Sequence, residues 1–322
     1  MIFRLIEAAN MNLEEQISLI IGLRNNLDYT KVFYERVRQL YKRVELVFVS
    51  YGSTDDTHLW LDELEDSNVK YYYSEESKSL SHTYNKGVEL ASSKLVSYLH
   101  NDIIIGERFI EELVNTWEKN AVLLYSLVEP SIFADDELPW KTIQDFGTDL
   151  ENFDYAGFDE YVINALNQDL KPRVVDGHSF FLCVERSWLL EMGGLDTLFY
   201  PMFCEDSDLM MRFYLQGTKF IHVPKAIVYH FVSKTSRYSE EFEKKSKEID
   251  DLGLRNYYRK WRSHPKADFR KSYDLVAVLK NASPEGLFNI EPFFAKTYIE
   301  QESDKKEYIK KYQHTTKIDL NN

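Results

Sequence analysis

The fold class is decided by residues 94–102, which read KLVSYLHND. An apolar run long enough for a β-strand ends abruptly in His100, Asn101 and Asp102, three polar side chains that can bind ligands. In open α/β sheets the chemistry lies where the carboxyl ends of the strands reach solvent. The stretch therefore predicts a buried strand that ends in a functional site.

The segments upstream alternate between strand and helix patterns. Apolar runs at Ile17–Leu23 and 46–49 predict two further strands, and residues 32–41 carry helical spacing between them. Helical spacing returns over residues 80–91, just before the deciding strand. Such alternation predicts an α/β fold with a central, mostly parallel mixed sheet, flanked by helices and joined by right-handed crossovers.

The downstream patterns continue this alternation. They predict helices at 107–120, 186–192, 209–216 and 239–261, and strands at 122–128, 179–184, 220–223 and 227–229.

The composition sets limits on size and on partners. The chain has 322 residues, of which 44% are apolar, so it can fill the core of one large domain or of a domain with an appendage. Acidic residues outnumber basic residues by 53 to 39, for a net charge of −14. This charge argues against a surface that coats nucleic acid, but it leaves room for a local basic patch.

Cysteine usage and hydropathy bear on location. Cys183 and Cys204 lie in apolar surroundings without metal-ligand spacing, so we expect buried thiols in a reducing compartment. The first residues lack the apolar core of a signal peptide, and no apolar run approaches the roughly 18 residues of a membrane span. We therefore expect a cytoplasmic protein without a transmembrane segment, and peripheral membrane attachment stays open.

The chain divides into a large domain at 1–235 and a helical C-terminal extension with a tail at 236–322. Within the domain, residues 131–170 form an acidic and aromatic insert, in which 131–169 hold ten acids and a single base, Lys141. This composition favours an insertion or a lid over a central strand. Its aromatic side chains would either wall a ligand site or pack against one another.

Asp102 and His230 are candidate metal ligands. A carboxylate at a strand end, with His100 and Asn101 beside it, suits Mg²⁺ or Mn²⁺ held partly by the phosphates of a substrate. Asp102 would otherwise cap the following loop or helix, an equally common role for aspartate. His230 also follows an apolar strand, and it is either a hydrogen-bonded core histidine or part of a metal shell.

A second acidic centre comprises Glu205, Asp206 and Asp208 at the start of a predicted helix. Acids in a first helical turn are stabilised by the macrodipole, which accounts for most such clusters. The aromatic run at 199–203 could, however, wall a pocket in which a carboxylate serves as a general base.

A basic segment at 255–271 holds seven bases and one acid, with Tyr257, Tyr258 and Trp261 interleaved. It is either a solvated helix face or a group of cations that neutralises phosphate over the active site.

The order of these segments resembles the family 2 glycosyltransferases, whose GT-A fold binds nucleotide sugars, across residues 16–262. The matching stretches are FVSYGSTDDT at 48–57, the run from 81 to HND at 100–102, and the run from GHSFF at 177 to His230. The most specific part is the spacing of GGLD at 193–196, EDSDL at 205–209, Arg212, Gly217 and His230.

The resemblance implies an inverting transfer of a sugar from a nucleoside-diphosphate sugar to the hydroxyl of a glycan or other acceptor. It places His100 and Asp102 at the metal motif, with His230 as a further ligand of Mn²⁺ or Mg²⁺. It makes Asp206 the catalytic base, with Glu205 in reserve. Residues implied in donor binding are Asn25, Ser50, Tyr51, Ser53, Asp55, Asn85, Lys86 and Asn101.

Two departures from the family pattern keep other functions open. Ser50 and Tyr51 replace an acidic pair that commonly reads the base, and His100 replaces the first acid of the metal motif. A degenerate GT-A module that binds a nucleotide sugar or glycan without turnover is the first alternative. An enzyme that modifies a hydroxylated base in DNA through the basic segment is the second.

Overall fold

The structure is a computed structural model that describes residues 13–131, 138–175, 179–232, 246–265, 276–281, 283–291, 294 and 296–312. The predicted features at residues 1–12, part of the insert at 132–137, the start of the helix predicted at 239–261, and the last six residues of the basic segment lie outside the described residues.

The secondary structure follows the predicted alternation. The strands are β1 (Ile17–Leu23), β2 (Glu45–Tyr51), β3 (Val69–Ser74), β4 (Leu95–His100), β5 (Ile103–Ile105), β6 (Ala121–Glu129), β7 (Lys141–Ile143), β8 (Arg173–Val174), β9 (Leu182–Glu185), β10 (Lys219–His230), β11 (Val276–Leu279) and β12 (Lys296–Ile299). The helices are α1 (Leu27–Leu40), α2 (Thr57–Asp62), α3 (Leu80–Leu90), α4 (Phe109–Thr116), α5 (Tyr155–Asn167), α6 (Arg186–Glu191), α7 (Glu205–Leu215), α8 (Ser246–Trp261), α9 (Pro284–Ile290) and α10 (Glu302–Tyr312).

A central sheet of ten strands organises the molecule, and its main path runs β3-β2-β1-β4-β9-β6-β10-β5. Strands β1 to β4 pair in parallel, as do β6 and β10, whereas β9 and β5 pair antiparallel to their neighbours. The predicted mostly parallel mixed sheet is confirmed. Its parallel strands bring their carboxyl ends to one edge, which is where the predicted site residues lie.

Strand β1 is covered by helices on both faces. Ile17, Leu19 and Ile21 pack into one apolar cluster with α1 and α4, while Ile20 points the opposite way into a cluster with α3 and α7. Side chains alternate across a strand, so a nearly continuous apolar run is what two covered faces require. On the second face α3 lies so close that a Cβ at Gly87 would stand 2.3 Å from the Ile20 side chain.

The structure differs from the sequence patterns in several elements. Strand β10 is one continuous strand, not two, with a register shift between Val223 and Ile227 around Pro224. Strands β3 and β5 were not predicted. Strand β3 is a partly exposed edge strand and β5 has three residues, so both lack the long apolar run that marks a buried strand.

The insert packs into a third apolar core on the sheet. Phe146, Phe153 and Phe158 are buried against Tyr229 and Phe231 of β10 and the residues that follow it. The strand β7 also pairs in parallel with the end of β6. These three aromatic rings are therefore part of the hydrophobic core and are not exposed for stacking on a sugar.

The C-terminal extension is helical, as predicted, and in addition contains strands β11 and β12, which form a separate two-stranded parallel sheet joined through α9. Its helices meet at Glu291, which accepts hydrogen bonds from Arg255 and Arg259 of α8 and from Tyr308 of α10. Among the described residues, no helix has the length and apolar character needed to cross a bilayer.

Phe158→Ala should show whether the insert belongs to the core. The ring is fully buried, so its removal leaves a cavity and should lower the free energy of unfolding by about 3–5 kcal/mol in urea titrations. Ile163→Ala, on the exposed side of the same helix, is the matched control and should change it by about 0.5 kcal/mol. Equal effects in the two variants would contradict the assignment of Phe158 to the hydrophobic core.

Candidate active site

Three predicted ligands converge at the carboxyl edge of the sheet. His100 ends β4 and His230 ends β10, while β5 pairs with the end of β10 and so holds Asp102, which immediately precedes it, beside His230. One ligand atom from each residue lies within 4.8 Å of the other two. Because β5 follows Asp102 directly, this residue does not cap a helix, and its side chain faces the two imidazoles.

The electrostatics of this cluster favour a cation. Asp102 is almost completely buried, with its Oδ1 3.5 Å from Nε2 of His230 and 3.9 Å from Nδ1 of His100. Burial alone would lower the pKa of His230, but the charges of Asp102 and Glu129 raise it to about 9. Burial lowers the pKa of His100 to about 4, so its neutral imidazole can donate a lone pair at physiological pH.

A second group of predicted residues fills the loops after β1 and β2. The side-chain oxygen of Asn25 accepts hydrogen bonds from the backbone N–H groups of Thr54 and Asp55. Ser53 Oγ accepts a hydrogen bond from the backbone N–H of Asn25. Ser50 donates to Ser53 at 2.6 Å. Thus the residues predicted to border the nucleoside hold two adjacent loops together.

The His100–Asp102–His230 cluster and these loops are linked through Asn101. Its amide donates to Thr30 Oγ1 at 3.0 Å and lies 3.4 Å from the carbonyls of Asn25 and Asn26. Asn25 and Asn26 both adopt left-handed backbone conformations, which asparagine tolerates better than most residues. The loop after β1 is therefore fixed against the residue that precedes Asp102.

The remaining predicted donor ligands lie on α3 and β2. The amide of Asn85 makes two 2.8 Å hydrogen bonds with the backbone of Leu195, which ties α3 to the loop after α6. Lys86 lies against Glu89 and over the ring of Tyr72, which also contacts Tyr51. Asn85 thus has a structural contact that its sequence position did not reveal.

The acidic pair Glu205 and Asp206 begins α7 directly after Phe203 and Cys204, two residues with left-handed backbone. Such consecutive strained residues are uncommon outside functional sites. Glu205 is buried, whereas Asp206 is partly exposed and accepts a hydrogen bond from the Ser207 amide. Burial, and next the charge of Asp206, raise the pKa of Glu205 to about 8.

Tyr84 lies between the acidic pair and the His100–Asp102–His230 cluster in an electrostatic sense, because carboxylates of both groups affect its pKa. Burial raises the pKa of its hydroxyl well above the ordinary value, and the charges of Asp102 and Glu205 both add to this rise. Both carboxylates therefore lie within electrostatic reach of one phenol.

Helix α8 of the C-terminal extension holds α7 through the buried carboxylate of Asp208. This carboxylate is fully buried and accepts hydrogen bonds from Arg212 at 3.0 Å and from Trp261 Nε1 at 2.8 Å, with Lys260 Nζ at 2.6 Å. Gly253 of α8 also packs so tightly that a Cβ there would lie 2.7 Å from the Phe203 carbonyl. The backbone just before Glu205 is thereby supported from outside the sheet.

Three bases in the described part of the basic segment take neither of the two roles considered for it, a solvated helix face or a group of cations over phosphate. Arg255 and Arg259 pair with Glu291, and Lys260 pairs with Asp196 and Asp208. These three cations neutralise carboxylates of the protein itself.

Sequence reasoning missed Glu129, which ends β6 and lies 2.9 Å from Nδ1 of His230. The signal was available, because Glu129 follows a predicted apolar strand just as His100 and Asp102 follow theirs.

Trp261→Phe removes the indole N–H that binds Asp208 while keeping an aromatic ring. Because this hydrogen bond goes to a buried charge, urea denaturation should show a loss of about 1.5–3 kcal/mol. Trp117→Phe is the control, since the indole N–H of Trp117 makes no hydrogen bond. A loss no larger than that of the control would mean that Trp261 does not stabilise Asp208.

Glu205→Gln should change how stability depends on pH. The folded protein keeps the Glu205 proton up to about pH 8, whereas the unfolded chain releases it near 4.5. Retention of this proton contributes its full amount to the free energy of unfolding below about pH 4.5. The contribution is lost as the pH rises to 8, at up to about 1.4 kcal/mol per pH unit.

Urea unfolding at pH 5 and pH 8 measures this difference. Wild type should lose more stability over the interval than Glu205→Gln, whereas Glu63→Gln at an exposed position should behave as wild type. Parallel pH profiles of wild type and Glu205→Gln would contradict a retained proton.

Known proteins provide an independent comparison. Residues 18–186, just over half of the chain, match glycosyl transferase family 2. A glucosyl-dolichyl phosphate glucuronosyltransferase of Haloferax volcanii is 27% identical over 168 residues, which are 49% of this chain and 48% of that protein. The glycosyltransferase GlyG of Streptococcus pneumoniae is 26% identical over 104 residues, or 31% of this chain and 35% of GlyG. The chain thus aligns with about half of one relative and a third of the other.

Solved glycosyltransferase structures share the fold. GalNAc-T7 with UDP, GalNAc and Mn²⁺ superposes with a TM-score of 0.50 at 18% identity, covering 67% of this chain and 43% of that chain. The mannosyltransferase PcManGT of Pyrobaculum calidifontis with GDP-Man and Mn²⁺ gives 0.50 at 14% identity, covering 76% and 63%. These likenesses confirm the expected GT-A fold. With a family match over most of the sheet, the chain belongs to glycosyl transferase family 2.

Proposed function

We propose that the protein transfers a sugar from a nucleoside-diphosphate sugar to an acceptor hydroxyl. The observation that carries this proposal is the convergence of His100, Asp102 and His230 at the carboxyl edge of a family 2 domain. This edge is where open α/β folds bind nucleotides. The two similar structures are complexes with UDP and with GDP-Man, which supports a donor of this class.

The donor atoms of the cluster fit a divalent cation. Two imidazoles and one carboxylate, all partly or fully buried, surround a point that already favours positive charge. Mn²⁺ accepts such mixed nitrogen and oxygen ligands, and Mg²⁺ prefers oxygen, so we favour Mn²⁺. Both similar structures contain Mn²⁺. A bound cation would supply the positive charge that stabilises the departing diphosphate.

The acidic pair supplies the proposed base. Asp206 is partly exposed at the start of α7, so its carboxylate can reach an acceptor hydroxyl and remove its proton during attack. Attack on the anomeric carbon from the side opposite the diphosphate would invert that centre. Glu205 is buried and has a raised pKa, so in this scheme it stays protonated and donates a hydrogen bond within the site.

Donor binding is proposed for the loops after β1 and β2. Asn25, Ser50, Ser53 and Asp55 form one hydrogen-bonded group there, and Asn101 joins it to the metal cluster. Ser50 is buried and bonded to Ser53, so it does not replace the base-reading carboxylate of the family. Tyr51, with Tyr72 beside it, is the proposed platform for the base, and Asn85 and Lys86 are more distant candidates.

The two alternatives make different predictions. A degenerate binding module would bind nucleotide sugar without releasing diphosphate, and a transferase should hydrolyse its donor slowly when no acceptor is present. A DNA acceptor would require free cations, but three bases of the basic segment pair with internal carboxylates.

A cytoplasmic location stays a prediction.

A thermal-shift panel of nucleoside diphosphates, each with and without Mn²⁺ or Mg²⁺, tests donor class and metal together. A ligand that binds only the folded state raises the midpoint, by an amount set by its concentration and affinity. We expect one nucleoside diphosphate to raise the midpoint of thermal unfolding only when a metal ion is present. No shift with any diphosphate would oppose the proposal.

Asp102→Ala and Asp206→Asn should each lower donor turnover by about 10²–10³-fold or more, because one removes the ligand carboxylate and the other the base. Diphosphate release from a panel of UDP- and GDP-sugars measures the effect, and circular dichroism verifies the fold. Asp251→Asn, at an exposed position of α8, is the control and should match wild type. Full turnover in either variant removes that residue from its proposed role.

A further inference from the structure

A row of charged side chains extends from the His100–Asp102–His230 cluster into the protein. Behind His230, Nδ1 lies 2.9 Å from Oε1 of Glu129, and Oε2 of Glu129 lies 3.8 Å from Nζ of Lys141. On the other side Nε2 of His230 faces Asp102. Glu129 and His230 are both buried, so these contacts are not those of a mobile surface pair.

The contact with Glu129 decides which nitrogen of His230 can bind a ligand. Because the Glu129 carboxylate also faces the Lys141 ammonium group, we assign it as the acceptor and Nδ1 of His230 as the N–H donor of this contact. The lone pair of a neutral ring is then on Nε2, which points to Asp102. Carboxylates that hold ligating histidines in this way are a recurring feature of metal sites.

The backbone of Glu129 is itself fixed by the insert. Glu129 is the last residue of β6 and pairs with Ile143 of β7, and its carbonyl accepts a hydrogen bond from the Gln144 amide. Lys141 belongs to the same short strand. Lys141 is the only base in residues 131–169, and through it the acidic and aromatic insert contacts the Glu129 side chain.

We propose, building on the proposed function, that Glu129 is a positioning residue of the metal centre. It orients Nε2 of His230 toward Asp102.

Mn²⁺ affinity, measured by electron paramagnetic resonance of free Mn²⁺ during titration, tests this role without any sugar donor. Glu129→Ala should weaken binding by about 10–100-fold, the usual cost of losing such a partner. Glu129→Gln keeps an acceptor oxygen without the charge, so its loss should be smaller. Glu118→Gln, which removes an exposed ion pair before the same strand, should bind as wild type.

Nitrogen-15 spectra of the metal-free protein provide a second reading. A proton on Nδ1 of His230 should be protected from exchange in wild type and Glu129→Gln and lose that protection in Glu129→Ala. Glu129→Gln also guards against misfolding, because it changes neither size nor shape.

The outcomes separate the two proposals. If His230→Ala abolishes Mn²⁺ binding while both Glu129 variants bind as wild type, the positioning role is wrong and the metal site stands. If wild type itself binds no Mn²⁺ in the absence of donor, the positioning role is wrong, whereas the proposed sugar transfer is judged separately by diphosphate release.

Discussion

A carboxylate removed from water is costly unless cations or hydrogen-bond donors surround it, and this constraint shapes both halves of the site. Asp102 is buried beside two imidazoles, one of which is held from behind by Glu129. Asp208 is buried among Arg212, Lys260 and Trp261. In each case at least one partner comes from a distant part of the chain, His230 for Asp102 and Lys260 and Trp261 for Asp208, so satisfying one charge fixes the relative positions of several elements.

The parts of the fold that the sequence predicted share one property. Strands β1, β2, β4 and β6 are buried on both faces and read as continuous apolar runs, so their positions and carboxyl ends could be found by pattern alone. The edge strand β3 and the three-residue β5 lack such a run. Pro224 made β10 resemble two strands, because the sequence does not show that a bulge can carry a strand past a proline.

The site was predictable where a strand ends and unpredictable where a side chain has a choice of partner. His100, Asp102 and His230 follow apolar strands, and the topology brings them together. Asn85 has the same family spacing as a donor ligand, yet it bonds the backbone of Leu195, a contact made across 110 residues of chain. The polar side chain is visible in the sequence, but its partner depends on packing that only the folded chain defines.

The support of α7 by α8 has a consequence for the order in which the protein is completed during synthesis. All ten strands of the large sheet, and with them the three metal-ligand candidates, precede residue 246 in the chain. Lys260 and Trp261 are made later, so all strands of the sheet and the three candidate ligands are synthesised before Asp208 can have its full set of partners. The acidic pair at the start of α7 therefore gains the support of α8 only after the whole sheet has been synthesised.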